Sequence, residues 1–567
     1  MCLSKRMTSV KNVRGAFPMA LRDQVPRIVI VGAGLGGISA AIQLKRQLGF
    51  QNFTIYEKAT AVGGTWRDNT YPGCGSDVPG HWYSLSTDLN PNWSSHYVSQ
   101  PEIRAYWEEL YFKYDLPSQT QLGHMVVQSQ WDSEAHLYHI TVKEVATGQT
   151  KQIEAEIMIN AIGGFMNPVF PKDIEGVEKF RGSVWHSARW RHDVDLKGKR
   201  VAVIGNGCSA AQIVPEISAD PLVNVTNFCR TPQWYLPRGN YRYSSWIKWV
   251  FAYVPFVMRW YRNLIMARSD SSYLIFRKDN RFLVAAARWF LSSYIKKTAP
   301  KDLVQSLTPT YAPGCKRIIV DPGYLESLHK PNVSISWDAI KGIVEEGIEL
   351  KSGKVVPFDV IVFSTGYSLE SADLDVRGSK KYTIREYFAS QGGPTAYLGT
   401  CLPGFPNFFM LLGPNVATGH ASIIFSQEAQ IGLAIQLIKP ILAGKAKSFE
   451  VREEATDKYN KWLQNRLVRS VWTDCNSYYQ AGGQKQTKII ATFPGPVGLF
   501  WWLTLRPRWN EFIGVGAEAW ETEQRRAVVR RRILFVGLVA VAAGLGVWLQ
   551  GKPLVNLVKR ILSLVVV

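Results

Sequence analysis

The chain has 567 residues, 46% of them hydrophobic and 20% charged, an ordinary balance for a globular protein with a real core, and one that excludes extensive disorder. Its formal net charge is +21, but Lys and Arg are interleaved with acids along most of the chain, and neither zinc-finger spacing nor an RNP-type aromatic motif accompanies them, so nucleic-acid binding is not expected. The seven cysteines (Cys2, Cys74, Cys208, Cys229, Cys315, Cys401, Cys475) are scattered and form no C-x-x-C pair, which suits reduced thiols in a cytosolic compartment and offers neither a disulfide framework nor a metal site.

The N-terminus, MCLSKRMTSV, lacks an apolar stretch of signal-peptide length, and residues 1–26 read as an extension. Arg27 to Val31 then reads as a short buried strand, followed by a turn containing Gly32, Gly34 and Gly37. Helical spacing runs from Ile38 to Leu48, and Phe53 to Tyr56 reads as a second strand ending at Glu57. The glycines permit a tight turn and a close approach to a pyrophosphate at the helix N-terminus. An acid at position 57 suits free ribose hydroxyls, as in FAD or NAD.

The same grammar returns at Arg200 to Ile204, which leads into Gly205, Asn206, Gly207, Cys208, Ser209 and Ala210 and then a helix through Ile217. Where an acid would stand after the following strand, the chain has Arg230 and then Thr231. A guanidinium there can grip a 2′-phosphate that an acid would repel, so the second fold suits NADP. An NADPH-dependent disulfide reductase would share this pair of folds, but it needs a redox-active cysteine pair beside the flavin. The sequence shows none, which leaves oxygen as the electron acceptor.

An aromatic and basic stretch from Tyr235 to Pro300, with Trp246, Trp249, Phe251, Tyr253, Trp260 and Tyr261, reads as part of a helical insertion over about 235–310. Its aromatics are expected to form a small core, with a lid or a membrane-facing surface as the alternative. Gly404 to Leu412 reads as a last buried strand leading into Gly413-Pro414-Asn415. Near the end, Ile533 to Leu549 has no polar side chain and follows Arg530, Arg531 and Arg532. That pattern predicts a membrane anchor with the catalytic body on the cytosolic side; a buried helix is the alternative.

Between the two folds, Phe180, Gly182, His186 and Trp190 match the F-x-G-x-x-x-H-x-x-x-W fingerprint of the Baeyer–Villiger monooxygenases, with Arg191 where the family usually has Pro or Asp. Gly63-Gly-Thr-Trp66, Tyr71-Pro-Gly73 leading to Asp77, Gly314-Cys-Lys-Arg317 and Phe363-Ser-Thr-Gly-Tyr367 also resemble that family, over about residues 27–512. The resemblance agrees with an α/β protein with two Rossmann-like dinucleotide-binding domains, for FAD and NADPH, to which the pattern of the chain adds a helical insertion and a C-terminal apolar helix. The FAD-binding domain would comprise 27–165 and 367–520, and the NADPH-binding domain 166–366. It implies insertion of one oxygen atom of O2 into a ketone, giving an ester or lactone through a C4a-peroxyflavin.

The resemblance assigns Arg317 to charge stabilisation and Asp77 to holding it. Gly64, Thr65, Trp66 and Tyr83 would contact the flavin cofactor, and Lys316 with Arg230 would retain NADP. His186 and Trp190 would couple domains, or simply be a packed pair stabilising a linker. Many relatives have Trp within the segment that reads Asn476-Ser-Tyr478-Tyr479 here, which leaves that substrate-side contact open. Two other readings remain: an N- or S-oxygenating flavin monooxygenase, and a flavin-binding membrane protein without turnover.

Overall fold

A computed structural model of the chain describes residues 25–368 and 374–549, so the expected extension lies outside the described residues up to position 24. Two parallel five-stranded sheets form the frame, and each with the elements packed on it makes up one unit, outer or inner. The outer sheet runs Phe408–Met410, Ile157–Asn160, Ile28–Val31, Phe53–Glu57, Thr120–Leu122. The inner sheet runs Val333–Ser336, Asn224–Phe228, Arg200–Ile204, Val360–Phe363, Ser183–His186. In each, a strand with a fully buried core and a glycine turn lies at the centre, because a parallel strand covered on both faces must be apolar throughout.

The turns feed the helices Leu35–Leu48 and Cys208–Ile217. The first ten residues of Leu35–Leu48 are buried, and Gly49, at φ +61°, closes the helix by donating its N–H to the carbonyls of Leu44 and Lys45. An antiparallel sheet of His124–Asp132, Leu137–Glu144 and Thr150–Ala155 packs Val126, Tyr138 and Ile140 against Val29 and Val31 of the outer sheet. A smaller one, Ile340–Val344, Gly347–Leu350 and Val355–Pro357, packs Ile343 and Ile348 against Ala202 and Ile204 of the inner sheet.

Three helices, Ser245–Tyr253, Val257–Ser271 and Arg281–Thr298, occupy the stretch expected to form an insertion. The middle helix is fastened to the outer unit: Arg262 meets Glu428 at 3.6 Å with both side chains largely buried. Arg259 donates to the Ser86 carbonyl at 3.0 Å, and Asp270 accepts the backbone N–H groups of Val497 and Gly498. The expected aromatic core forms only in part. Phe251 is buried and Tyr261 half-buried, but Trp246, Trp249, Tyr253 and Trp260 are exposed, because the helices present those residues away from the body.

The expected membrane anchor is overturned. Ile533 to Leu549 forms the latter part of one 32-residue helix, Glu518–Leu549, whose earlier turns carry Glu518, Glu521, Glu523, Arg525 and Arg526. The uncharged run is at the lower limit of the roughly 17–25 residues that a bilayer core requires. Among the described residues no helix is long and apolar enough to cross a membrane. The cytosolic placement of the catalytic body, which rested on that anchor, falls with it.

Candidate active site

At the outer turn, Gly32 takes φ +100°, where a Cβ would lie 3.2 Å from the Ala161 carbonyl oxygen. A Cβ on Gly37 would sit 1.9 Å from the Gly32 carbonyl oxygen, so strand and helix touch backbone to backbone there. Gly34 and Gly207 occupy the N-cap positions of the two turn helices, and neither provides a side-chain cap. The first-turn N–H groups are therefore left to an anion, the arrangement a pyrophosphate needs.

Glu57 is buried at the end of its strand, and its carboxylate is already shared. Oε2 accepts the Ala33 N–H at 2.8 Å, while Oε1 accepts from the Ala59 N–H at 3.0 Å and from Arg67 at 3.2 Å. It thus braces the turn from the end of the second strand. Gly64, at φ +52°, backs onto Gly34, where a Cβ would come within 3.0 Å of the Gly34 Cα. Thr65 opens a one-turn helix, and the Trp66 indole Nε1 donates to the Tyr83 hydroxyl at 3.1 Å.

At the inner turn, a Cβ on Gly205 would lie 2.5 Å from the Ser364 carbonyl oxygen. Asn206 donates to the Thr231 carbonyl at 2.8 Å, and Ala210, in the third glycine's place, is fully buried. Lys316 Nζ donates to Thr231 Oγ1 at 2.6 Å. Burial, and then the charge of Arg230, lower the Lys316 pKa below its ordinary value. Among the described residues no carboxylate pairs with either cation. Two cations around a hydroxyl, with no acid, form a fitting receptor for a phosphate.

The segment Tyr71-Pro-Gly73 joins the two units. The Tyr71 hydroxyl donates to Gln212 at 2.9 Å and accepts from Ser209 at 3.2 Å, and a Cβ on Gly73 would lie 2.5 Å from the Gln212 carbonyl oxygen. Four residues on, Asp77 Oδ2 accepts from Arg317 Nε at 2.7 Å and from a terminal guanidinium nitrogen at 2.6 Å. These partners are 240 positions apart, and each side chain keeps about a quarter of its surface exposed. Burial would lower the Arg317 pKa, but Asp77, with Tyr478, Tyr479 and Cys208 nearby, raises it well above normal. The Cys208 thiol is pushed up to about 11 by burial and then by the Asp77 charge.

The fingerprint residues lie on the inner sheet's edge. Phe180 joins the inner core, and a Cβ on Gly182 would lie 2.4 Å from the Asp359 carbonyl oxygen. Buried His186 packs against Phe170 and Tyr367, and burial, then Arg189, lowers its pKa to about 4, so its ring is neutral near pH 7. Trp190 stacks edge-on against Trp185. Tyr367 in turn donates to Asn69, which donates to the Thr65 carbonyl, so the motif reaches the outer unit through a chain of contacts.

One expectation about cysteine fails here. Cys74, Cys208, Cys229 and Cys401 are free, but Cys315 and Cys475 form a disulfide. They are 160 positions apart in sequence, so spacing alone could not pair them. The available signal was adjacency: each abuts a motif segment, Cys315 before Lys316 and Arg317, Cys475 before Asn476. Tyr478 and Tyr479 thereby come to face Arg317 from a part of the chain that sequence reasoning left open. The exclusion of a disulfide reductase by lack of a cysteine pair also loses its premise, and the decision passes to kinship.

Residues 30–101 match the model of an NAD(P)-binding Rossmann-like domain, and residues 92–245 that of the L-lysine 6-monooxygenase/L-ornithine 5-monooxygenase family. A Baeyer–Villiger monooxygenase of Pseudomonas aeruginosa is 36% identical over 458 residues, covering 80% of this chain and 85% of that protein. An FAD-binding monooxygenase of Aspergillus niger is 30% identical over 550 residues, covering 92% of this chain and 88% of its own length. Among solved structures, an oxidised steroid monooxygenase bound to NADP superposes with a TM-score of 0.74 at 25% identity, covering 87% of this chain and all of that one.

Proposed function

This chain belongs to the Baeyer–Villiger monooxygenases, FAD- and NADPH-dependent flavoproteins, and from that premise we propose that Arg317 and Asp77 form its oxygen-insertion site. The reaction converts a ketone to an ester or lactone with one oxygen atom from O2. The outer turn, with Gly32, Gly34, Gly37, Glu57, Gly64, Thr65, Trp66 and Tyr83, would hold FAD, and the inner turn, Gly205 to Ala210 with Arg230, Thr231 and Lys316, would hold NADPH. In this division residues 27–165 and 367–520 serve FAD, and residues 166–366 serve NADPH. When bound, NADPH supplies hydride and FAD the ring that activates oxygen.

The observation that carries the reading is the Asp77–Arg317 pair at the meeting of the two units. Asp77 aims a planar set of donors toward the cleft, and Arg317 neutralises the negative charge that develops on the substrate's carbonyl oxygen during attack. Tyr478, 41% exposed and near the guanidinium, would then contact the ketone. Lys316 and Arg230 keep the spent nucleotide seated, which keeps water out of the site.

Arg317→Ala should keep its flavin and its reduction by NADPH, yet lose about two to three orders of magnitude in ester formation. Stopped-flow reduction and product analysis with labelled oxygen on a ketone panel measure both. Normal ester yield from the variant would exclude this role. The match of residues 92–245 to the L-lysine 6-monooxygenase/L-ornithine 5-monooxygenase family, named for amino-acid substrates, favours heteroatom oxygenation as the second reading. Amine or sulfide oxides, without esters, from the unmodified enzyme would establish it instead.

A further inference from the structure

Arg317 sits in a stretch with little regular structure. Between the helix Val304–Leu307 and the short strand Ile319–Asp321, the chain makes only turns. Polar ties fasten this stretch to the inner unit: Trp234 donates to the Tyr311 carbonyl, the Tyr311 hydroxyl to the Pro232 carbonyl, and Lys316 to Thr231. Toward the outer unit, Arg317 has its ion pair with Asp77.

The covalent tie is the Cys315–Cys475 disulfide. Its far end opens the loop that carries Tyr478 and Tyr479, the two rings facing the guanidinium. That loop is internally braced: buried Gln480 donates to the carbonyls of Trp472 and Cys475, and the Asn476 side chain accepts the Lys485 N–H. Phe276 stacks on Trp472 at 5.4 Å, and a Cβ on Gly314, the neighbour of Cys315, would strike the Phe276 ring at 2.4 Å. Segment and loop therefore share one apolar floor as well as one bond, and both cysteines are buried.

We propose that the Cys315–Cys475 disulfide is a positioning clamp for oxygen insertion, holding the segment that bears Lys316 and Arg317 in register with the loop that bears Tyr478 and Tyr479. The inference rests on the role given to Arg317 above. An irregular segment has many conformations of similar energy, and a shift of about 1 Å in a catalytic group can cost about a hundredfold in rate. A covalent tie to the braced loop limits how far such a segment can drift from it. Flavin reduction needs only the two rings brought together, so it tolerates a slack guanidinium that oxygen insertion does not. Opening the clamp consumes a dithiol: two electrons and two protons from dithiothreitol convert the bridge to two thiols, and the dithiol closes to its cyclic disulfide.

The test uses the FAD-bound, full-length enzyme. Thiol alkylation with peptide mass spectrometry should find Cys315 and Cys475 joined before reduction and both alkylated after it. Cys475→Ser and the Cys315→Ser/Cys475→Ser pair should reduce their flavin within twofold of the unmodified rate. Their ester yield per NADPH should fall at least threefold, with hydrogen peroxide rising to match. Dithiothreitol should have the same effect on the unmodified enzyme, reversed on reoxidation, and no effect on the double variant. Alkylation of both cysteines without reductant, or full coupling in the double variant, would overturn the clamp. If the variants fail to hold flavin, the dithiol experiment decides alone: unchanged coupling after proven reduction overturns the proposal. Ester formation by the untreated enzyme tests the functional reading separately, and the difference between bridged and opened enzyme tests the clamp.

Discussion

The outer and inner sheets share one plan, with five parallel strands and a glycine turn leaving the central strand. They differ at three places. The outer turn has Gly37 where the inner has Ala210, the outer second strand ends in Glu57 where the inner leads to Arg230, and each borrows its edge strand from a different direction along the chain. The shared parts are what any dinucleotide demands of a backbone. The differing parts change how closely helix and strand can pack, and they are the ones proposed above to set which nucleotide binds. Between them, neither sheet alone holds the Asp77–Arg317 ion pair: Asp77 follows the outer turn and Arg317 follows the inner unit's helices.

The sharpest way to break the comparison is at the third glycine position. Gly37→Ala drives a Cβ to within 1.9 Å of a backbone oxygen that cannot move aside, so the variant should purify without flavin or fail to fold. Ala210→Gly, at the matching inner position, removes one buried methyl in a helix and should cost only about 1–2 kcal/mol. Flavin absorbance and thermal unfolding of both proteins give the readout. Equal tolerance at the two sites would mean the outer turn relaxes in solution.

A smaller effect separates the second difference. If Arg230 faces the 2′-phosphate as proposed, NADPH should be preferred to NADH by about tenfold, or about 1.4 kcal/mol. Arg230→Ala should raise the Michaelis constant for NADPH and leave that for NADH nearly unchanged. Equal use of both nucleotides by the unmodified enzyme would remove the contrast between Glu57 and Arg230.

The smallest effect is a pH dependence. The Lys316 pKa is lowered by burial and then by Arg230, and a bound phosphate would raise it again. Affinity for NADP is therefore full at neutral pH and falls as pH rises through the lowered value, earlier than an ordinary lysine would give. NADP titrations from neutral to alkaline pH should show that fall, and Lys316→Arg should flatten it, since arginine stays charged throughout.

Local features were readable from the sequence, and distant ones were not. Strand, glycine turn and helix are coded within a score of neighbouring residues, so both turns, Glu57 and Arg230 could be placed from periodicity and spacing. The meeting of Asp77 with Arg317 came only through resemblance, because nothing local to either announces a partner so far along the chain. The Cys315–Cys475 bridge went unread for the same reason, and hydropathy misread the helix Glu518–Leu549 by treating its later part alone. The exposed tryptophans of Ser245–Tyr253 and Val257–Ser271 show a further limit, since an aromatic run does not announce which of its rings will find a core.

The borrowed edge strands also set an order of assembly. All five inner strands have been synthesised once Phe363 emerges from the ribosome, whereas Ile157–Asn160 keeps a bare hydrogen-bonding flank until Phe408–Met410 is made. The nascent chain therefore carries a finished inner sheet inside an unfinished outer one. A bare flank of that kind is a template for pairing with other chains. Protein fragments ending between those two points should be insoluble even where their inner sheet is native, and chaperone demand should peak in that interval of translation.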